Sequence, residues 1–300
     1  MIKRFLKYVE ITTKITSVFA FLMTMAYLFS IGQKINAGKT LIFFAAMFLF
    51  DLTTTAINNY VDTKTNDQIL QFRRRAALII IVVLFLISAA LGLYLAYITD
   101  PVVLFLGALC FLCGVFYSYG PIPISRQPLG EFFSGLFYGL LIPFLLLYIN
   151  MPEGTYLSFA FSLKTIRLSL EVFPIFTALL LAVAPFCATA NIMLANNTCD
   201  LERDIAVKRY TLPYYIGSKA LYLFAALYYL IYASIILMVL LKILSPLCLL
   251  ILLTIIPVQK NINTFFKKQE KATTFITAVK NYVIIMAAES LLIFVSGFLK

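Results

Sequence analysis

The sequence lacks histidine altogether and is poor in charge, with only 12% charged residues against 62% hydrophobic residues. Without histidine the chain has no ordinary general base, no His-containing triad and no imidazole ligand for zinc. Soluble domains are about half apolar and about a quarter charged. A water-soluble fold as apolar as this chain would have nowhere to bury the excess. The composition therefore predicts an integral membrane protein.

The chain also lacks a hydrophilic domain, a low-complexity tract and a long linker. A cleavable signal peptide is not expected, because the first apolar run is long and has no small-residue cleavage pattern. We therefore expect one membrane-embedded domain over residues 1–300.

Apolar runs separated by charged residues, proline or glycine predict the fold class. Each crossing of a bilayer needs roughly 20 apolar residues. The sequence therefore predicts an all-α polytopic membrane protein with about nine transmembrane helices, placed at 12–32, 40–58, 77–98, 101–118, 131–149, 172–194, 217–241, 244–259 and 277–299.

The lysines and arginines are distributed unevenly between the loops. If the N-terminus is cytoplasmic, 18 of the 24 basic residues fall on the cytoplasmic side. This bias matches the positive-inside rule and predicts a plasma-membrane protein with its N-terminus inside. The net charge of +11 then reflects topology and attraction to anionic lipid heads, or a contact of some cations with an anionic substrate. It does not indicate nucleic-acid binding.

Cysteine chemistry is not indicated either. Cys110 and Cys113 form a C-x-x-C pattern, but it lies inside a predicted span and no histidine accompanies it. We interpret the cysteines as small hydrophobic residues rather than as metal ligands or a redox pair.

One polar pattern, N-N-x-x-D-x-x-x-[N/D], occurs at the ends of the second and sixth predicted spans. The first copy contains Asn58 and Asp62, and the second contains Asn196, Asp200 and Asp204. Residues four apart lie on one face of a continuing helix. Because both spans enter from the same side, the two stripes are expected to face each other at the cytoplasmic surface.

Two facing stripes of carboxylates and amides would repel unless something positive lies between them. Carboxylates near membrane depth are costly and usually face a cavity or each other, and Asp51 extends the first stripe deeper. Mg²⁺ takes oxygen ligands and is commonly held by one or two carboxylates plus substrate phosphates. The alternative is that each cluster is only a polar helix end, but two matched clusters favour a magnesium-diphosphate site.

The paired motifs resemble those of the UbiA superfamily of intramembrane aromatic prenyltransferases. In that family two Asp-rich motifs, after helices two and six of nine, bind Mg²⁺ and a prenyl diphosphate. The likeness is closest to the branch that prenylates 1,4-dihydroxy-2-naphthoate in menaquinone biosynthesis, and it is carried by the second motif with segments 119–123, 129–131 and 208–217. The chain departs from the family pattern at Asn59 and Asn66, which stand where Asp is usual, although Asp67 is adjacent.

The resemblance implies a helical bundle around a central cavity in which a polyprenyl group passes from a polyprenyl diphosphate to an aromatic acid, with loss of CO₂. Its product would be demethylmenaquinol or demethylmenaquinone, and its cofactor Mg²⁺. The predicted catalytic residues are Asn58, Asp62, Asn196, Asp200 and Asp204. The predicted metal ligands are Asp62, Asn66, Asp67, Asp200 and Asp204. The predicted substrate contacts are Lys14, Asn59, Lys64, Arg126, Asn197, Lys208 and Arg209.

Other interpretations stay open at this point. Lys14 follows Glu10 by four residues, so it suits an interfacial ion pair as well as a substrate contact. A different acceptor, such as 4-hydroxybenzoate, a haem or a sugar phosphate, would fit the same motifs. A transporter also combines internal repeats with intramembrane acids, but it places them near the midplane in interrupted helices. Here both clusters lie at one membrane face, which favours the prenyltransferase.

Overall fold

The computed structural model of the chain describes residues 1–64, 69–121, 123–161 and 164–299. Within these ranges, nine helices are long and apolar enough to cross a membrane, which confirms the predicted number of spans. The predicted all-α class is also confirmed, since the described elements are helices apart from one short hairpin.

The nine spans are built from single helices and from joined helical segments. Five are single α-helices: α3 (Ala37–Asp62), α4 (Arg74–Tyr97), α5 (Pro101–Ser118), α8 (Val172–Cys199) and α11 (Lys219–Leu240). The first span joins a 3₁₀ turn (Ile11–Lys14) to α2 (Ile15–Ser30), and the fifth joins α6 (Gly130–Ser134), a π-helix (Gly135–Leu141) and α7 (Ile142–Asn150). The eighth joins a 3₁₀ helix (Pro246–Thr254) to α12 (Ile255–Lys267), and the ninth is α13 (Ile276–Ser296) with a final turn, Gly297–Leu299.

The segments outside the spans are short. They are α1 (Ile2–Tyr8), a 3₁₀ turn (Ile124–Arg126), the strands β1 (Leu157–Phe161) and β2 (Ile166–Leu170), α9 (Leu201–Ala206) and α10 (Leu212–Ile216).

Apolar side chains cover the outside of the bundle. On α4, for example, Leu78, Ile79, Val82 and Leu86 are all exposed. A continuous apolar surface of this kind suits lipid rather than water, and helices satisfy their own backbone hydrogen bonds inside a bilayer. The chain is therefore a multi-pass membrane protein.

Two helices continue beyond the ends of their predicted spans. The second predicted span ended at residue 58, but α3 runs to Asp62, and the sixth ended at 194, but α8 runs to Cys199. Asp200 follows α8 directly, and its backbone N–H donates to the Asn196 carbonyl oxygen at 3.0 Å. Both motifs therefore have the one-turn spacing that places their side chains on one helix face.

The hairpin between α7 and α8 was not predicted. Its strands pair antiparallel, from Leu157 opposite Leu170 to Phe161 opposite Ile166. Apolar and polar residues alternate along β2, and large apolar residues alternate with the small residues Ser158 and Ala160 along β1. A period of two is that of a strand with two different faces. A run this short is easily taken for an ordinary loop between two spans.

The fifth span and α8 pack against each other at Gly139. A Cβ atom added to Gly139 would lie 2.1 Å from the backbone nitrogen of Phe186 and 2.2 Å from its Cα atom. Small residues at such crossings let two helix backbones approach closely. The contact joins α8, which carries the second motif, to the span that begins beside the site.

We expect Gly139→Ala to lower the free energy of unfolding by about 1–3 kcal/mol, because backbone atoms of Phe186 cannot move aside as a flexible side chain would. Thermal unfolding of the purified protein in detergent measures this effect. Gly107→Ala is the matched control, because a Cβ atom there meets nothing within 4 Å. Equal melting temperatures for the two variants would contradict the packing argument.

Candidate active site

The first motif lies at the end of α3. The side-chain oxygen of Asn58 accepts a hydrogen bond from the Ser118 hydroxyl at 2.9 Å, and the Asn58 side chain is also hydrogen-bonded to the carboxylate of Asp62. This pairing fixes the direction of the Asp62 carboxylate at the helix end. Two predicted metal ligands, Asn66 and Asp67, lie outside the described residues.

The second motif lies where α8 ends and α9 follows. Asp204 is buried, and its Oδ1 atom lies 3.7 Å from the Arg209 guanidinium. Its Oδ2 atom is buried and has no hydrogen-bond partner among the described residues. Burial raises the pKa of the Asp204 carboxyl group, and the charge of Arg209 opposes that shift. The Oδ2 atom of Asp204 is therefore available as an acceptor or ligand for a cation.

The charges of three arginines reach the first motif, and one of these arginines also pairs with the second motif. Arg209, Arg126 and Arg203 lie near enough to Asp62 for their charges to act on its carboxylate. Arg209 is held in place because its Nε donates to the Ser125 carbonyl oxygen at 2.9 Å. The positive charge expected between the two stripes is thus supplied partly by the chain itself.

Asn197 belongs to the same network but is turned inward. It is buried, and its Nδ2 donates to Oε1 of Glu131 at 2.9 Å. Its Oδ1 accepts from Arg209 at 3.5 Å. Asn197 therefore links Arg209 to α6, and in this structure its polar atoms are directed to protein groups.

Three other predicted substrate contacts lie at the edge of the site. Asn59 points towards the N-terminal segment, where its Nδ2 donates to the Tyr8 carbonyl oxygen at 2.9 Å and to Glu10 at 3.1 Å. Lys64 is exposed above the Tyr60 ring. Lys208 is exposed at a turn with positive φ.

Lys14 forms a separate cluster with Asp51, which lies on α3 well before Asp62. Its Nζ is 2.8 Å from Oδ1 of Asp51, and both side chains are at most 5% exposed. The hydroxyls of Tyr138 and Ser17 also donate to Asp51, at 2.8 Å and 2.6 Å. Asp51 is eleven residues from Asp62, which is about 16 Å of helix, so this cluster is not part of the motif pair.

Lys271 contacts the second motif, although nothing in the sequence predicted it there. This residue lies in the loop between α12 and α13, yet its Nζ is 2.8 Å from Oδ2 of Asp200 and is hydrogen-bonded to the side-chain oxygen of Asn196. Tyr117 was also missed as a neighbour of the site, and its hydroxyl lies 3.4 Å from that of Ser134. Glu131 was indicated by the sequence, because segment 129–131 carries part of the family resemblance.

The donor chemistry fits magnesium bound together with a substrate. Among the described residues, no group of three or more Asp, Glu, Cys or His is placed to hold a metal ion by itself. Mg²⁺ does not need such a cage, because it usually keeps water and takes one or two carboxylates with substrate phosphates. Asp200 and Asp204 lie one turn apart in the second motif, and the open Oδ2 atom of Asp204 is an oxygen donor of that kind.

Comparison with known proteins identifies a curated relative of this chain. A curated relative, 1,4-dihydroxy-2-naphthoate octaprenyltransferase of Bacillus subtilis (strain 168), is 25% identical over 133 residues, which are 44% of this chain and 36% of the relative. The match therefore spans little more than a third of that relative's length.

Two solved structures share the fold over nearly the whole chain. The structure of a digeranylgeranylglyceryl phosphate synthase in membranes has a TM-score of 0.67 at 17% identity and covers 100% of this chain and 99% of its own. A UbiA homologue from Archaeoglobus fulgidus bound to GPP and Mg²⁺ has a TM-score of 0.63 at 16% identity, over 99% of this chain and 98% of its own. At these identities the likeness concerns the fold alone.

The family itself is settled by a match to most of the chain. The profile of the UbiA prenyltransferase family covers residues 18–279, which include both Asn/Asp motifs and all or part of every span. The resemblance predicted from the motifs is thereby confirmed. This chain belongs to the UbiA prenyltransferase family and is a membrane-embedded prenyltransferase.

Proposed function

We propose that this prenyltransferase moves a polyprenyl group from a polyprenyl diphosphate to 1,4-dihydroxy-2-naphthoate, with Mg²⁺ and with loss of CO₂, to give demethylmenaquinol. One observation carries the proposal: Arg209 is paired with Asp204 at 3.7 Å, and its charge also reaches Asp62 at the end of α3. The choice of acceptor is supported by the Bacillus subtilis relative, whose name states that substrate.

In this proposal the two motifs hold the metal and the diphosphate. Asp62, Asp200 and Asp204 are the carboxylate ligands, with Asn66 or Asp67 completing the first motif. Mg²⁺ bound there supplies positive charge that stabilises the leaving diphosphate. The UbiA homologue bound to GPP and Mg²⁺ supports the pairing of metal and diphosphate.

The chain's own groups position the substrates. Asn58 orients Asp62 through its hydrogen bond, and Asn196 offers an amide oxygen one turn before Asp200. Arg126 and Arg209 contact the remaining phosphate oxygens, because guanidinium groups bind phosphates through paired hydrogen bonds. Lys64 and Lys208 remain predicted contacts at the exposed edge, and Lys14 and Asn59 are argued to serve the protein's own packing.

The transfer step is balanced without an added proton. The carbon–oxygen bond of the allylic diphosphate breaks. The ring carbon that carries the acceptor's carboxylate forms a bond to the allylic carbon, and its bond to the carboxylate breaks. The acceptor's carboxylate leaves as CO₂, so the products are the prenylated quinol, diphosphate and CO₂. Aromatic side chains on the fifth span, such as Phe133 and Phe137 with ring centroids 5.9 Å apart, would exclude water from the cation-like allylic carbon.

We also propose that the site faces the cytoplasm of the cell membrane. The support is the positive-inside bias, with 18 of 24 basic residues on the side of the N-terminus. A soluble aromatic acid would reach the site from that side, while the isoprenoid tail stays in the bilayer.

Purified protein supplied with a labelled polyprenyl diphosphate, Mg²⁺ and a panel of acceptors is expected to prenylate 1,4-dihydroxy-2-naphthoate and to release CO₂. Mass spectrometry of the product and trapping of CO₂ measure the two outcomes. EDTA should stop turnover and added Mg²⁺ should restore it. A product that keeps its carboxylate, or transfer only to 4-hydroxybenzoate, a haem or a sugar phosphate, would overturn the proposed acceptor, and indifference to EDTA would overturn the metal role.

A further inference from the structure

Lys271 binds the second motif from a distant loop. Its ammonium group contacts two residues of that motif, Asp200 at 2.8 Å and the side-chain oxygen of Asn196. It also lies 4.7 Å from the centroid of the Phe275 ring. Asp200 and Asn196 are the two groups that the proposed function assigns to the metal and the diphosphate.

The loop that carries Lys271 is held by its own hydrogen bonds. The Thr274 hydroxyl accepts from the backbone N–H of Glu270 at 2.8 Å, and the Thr273 hydroxyl donates to the Glu270 carboxylate at 2.8 Å. Gln269 donates to the Phe265 carbonyl oxygen at 2.6 Å, which ties the loop to α12. The backbone around Lys271 is thus fixed, and only its side chain needs to move to release Asp200.

A bare metal ion and Lys271 compete for the same oxygens. Both are cations that bind the Asp200 carboxylate. Mg²⁺ arriving alone must therefore displace the ammonium group, and the nearby positive charge of Lys271 then repels it. A diphosphate changes this balance, because it brings several negative oxygens that accept from an ammonium group. Lys271 is 45% exposed and Asp200 is 22% exposed, so the side chain has room to turn from one partner to the other.

Resting on the proposed function, we propose that Lys271 is a substrate-positioning residue. It neutralises Asp200 in the unliganded protein and transfers to the diphosphate when metal and diphosphate bind. The consequence is an order of binding: the site resists the metal alone and accepts the metal with a prenyl diphosphate. The ligand class of Lys271 is therefore the diphosphate group, and its role lies in binding rather than in bond breaking.

Lys271→Gln separates the two parts of this role. Because the competing charge is lost, Mn²⁺ alone, as a probe for Mg²⁺, should bind about three- to fivefold more tightly than to the unsubstituted protein. In the presence of Mn²⁺, a non-hydrolysable farnesyl thiolodiphosphate should bind about tenfold more weakly, because a charged donor to phosphate is lost. Electron paramagnetic resonance titration measures the metal, and a filter-binding assay with labelled analogue measures the diphosphate.

Two further variants complete the experiment. Lys268→Gln removes the same charge three residues away, where the lysine pairs with Glu270 at 2.6 Å, and it should leave both affinities unchanged. Lys271→Arg should restore tight binding of the analogue. Suppose that the unsubstituted protein binds Mn²⁺ together with the analogue, and that Lys271→Gln has the same two affinities. The inference is then overturned while the proposed function stands. If the unsubstituted protein binds neither, the proposed function fails and the inference with it.

Discussion

Asp62→Asn is expected to lower kcat/KM for prenyl transfer by about a thousandfold, because it removes the carboxylate of the first motif among the described residues while keeping its shape. Asp62 is the last residue of α3 and is hydrogen-bonded to Asn58. The charge of Arg209, which pairs with Asp204 of the second motif, also acts on its carboxylate. An amide at this position can still accept hydrogen bonds, but it offers no negative charge to a metal. The measurement is steady-state transfer in detergent with saturating acceptor and varied polyprenyl diphosphate.

The control for this experiment is Glu202→Gln. Glu202 is exposed on α9 between Asp200 and Asp204, so its substitution changes the net charge of the same surface by the same amount. We expect its rate to stay within about twofold of the unsubstituted protein, since exposed charges away from the reacting atoms contribute little. Equal loss in both variants would mean that the overall charge of the surface, rather than Asp62, controls the rate. A full rate in Asp62→Asn would remove Asp62 from the site.

The repeated motif made most of the site predictable from the sequence. Its spacing indicates which side chains share a helix face. The chain makes four crossings from the end of α3 to the end of α8, so both ends lie at the same side of the membrane. Two facing rows of carboxylates also imply a positive charge between them. Arg209 was predicted as a substrate contact, and it follows Asp204 by only five residues in the segment between α8 and α11.

Lys271 could not be predicted in the same way. It is 71 residues from Asp200 in the chain, and only the packing of α12 and α13 brings their loop to the second motif. In the sequence it is one of several lysines in a basic loop, and positive-inside topology explains them all equally well. Long-range ion pairs of this kind leave no local pattern.

The fold was predictable where the bilayer determines it and not where packing does. Hydropathy located the spans because each must hold an apolar surface in lipid. It did not locate the ends of α3 and α8, because a helix continues into the headgroup region after its apolar run has stopped. Nor did it indicate the π-helix over Gly135–Leu141, within which Gly139 approaches the backbone of Phe186.

Lys14→Met is expected to lower the free energy of unfolding by about 3–5 kcal/mol, because it leaves a buried carboxylate without its cation. Asp51 was expected to extend the polar stripe towards the site, but the structure pairs it with Lys14 inside the bundle. An ammonium group has three donors. Lys14 directs them to the Asp51 carbonyl oxygen at 2.9 Å, to Oδ1 of Asp51 at 2.8 Å and to the Thr55 hydroxyl at 2.5 Å. With every donor engaged, the side chain has none left for a substrate.

The double variant Lys14→Met/Asp51→Asn tests this assignment against a role in substrate binding. The asparagine is uncharged: its Oδ1 can accept from one of the two hydroxyls, Tyr138 or Ser17, and its Nδ2 can donate to the other. The double variant should therefore recover most of the stability that Lys14→Met loses. Thermal unfolding in detergent measures the recovery. If Lys14 instead binds a substrate, Lys14→Met would unfold like the unsubstituted protein and raise the KM of the acceptor or the diphosphate, and the second substitution would restore neither. If Lys14 serves to neutralise Asp51, removing the Asp51 charge as well restores the stability. If Lys14 binds a substrate anion, the Asp51 substitution does not restore the lost substrate affinity.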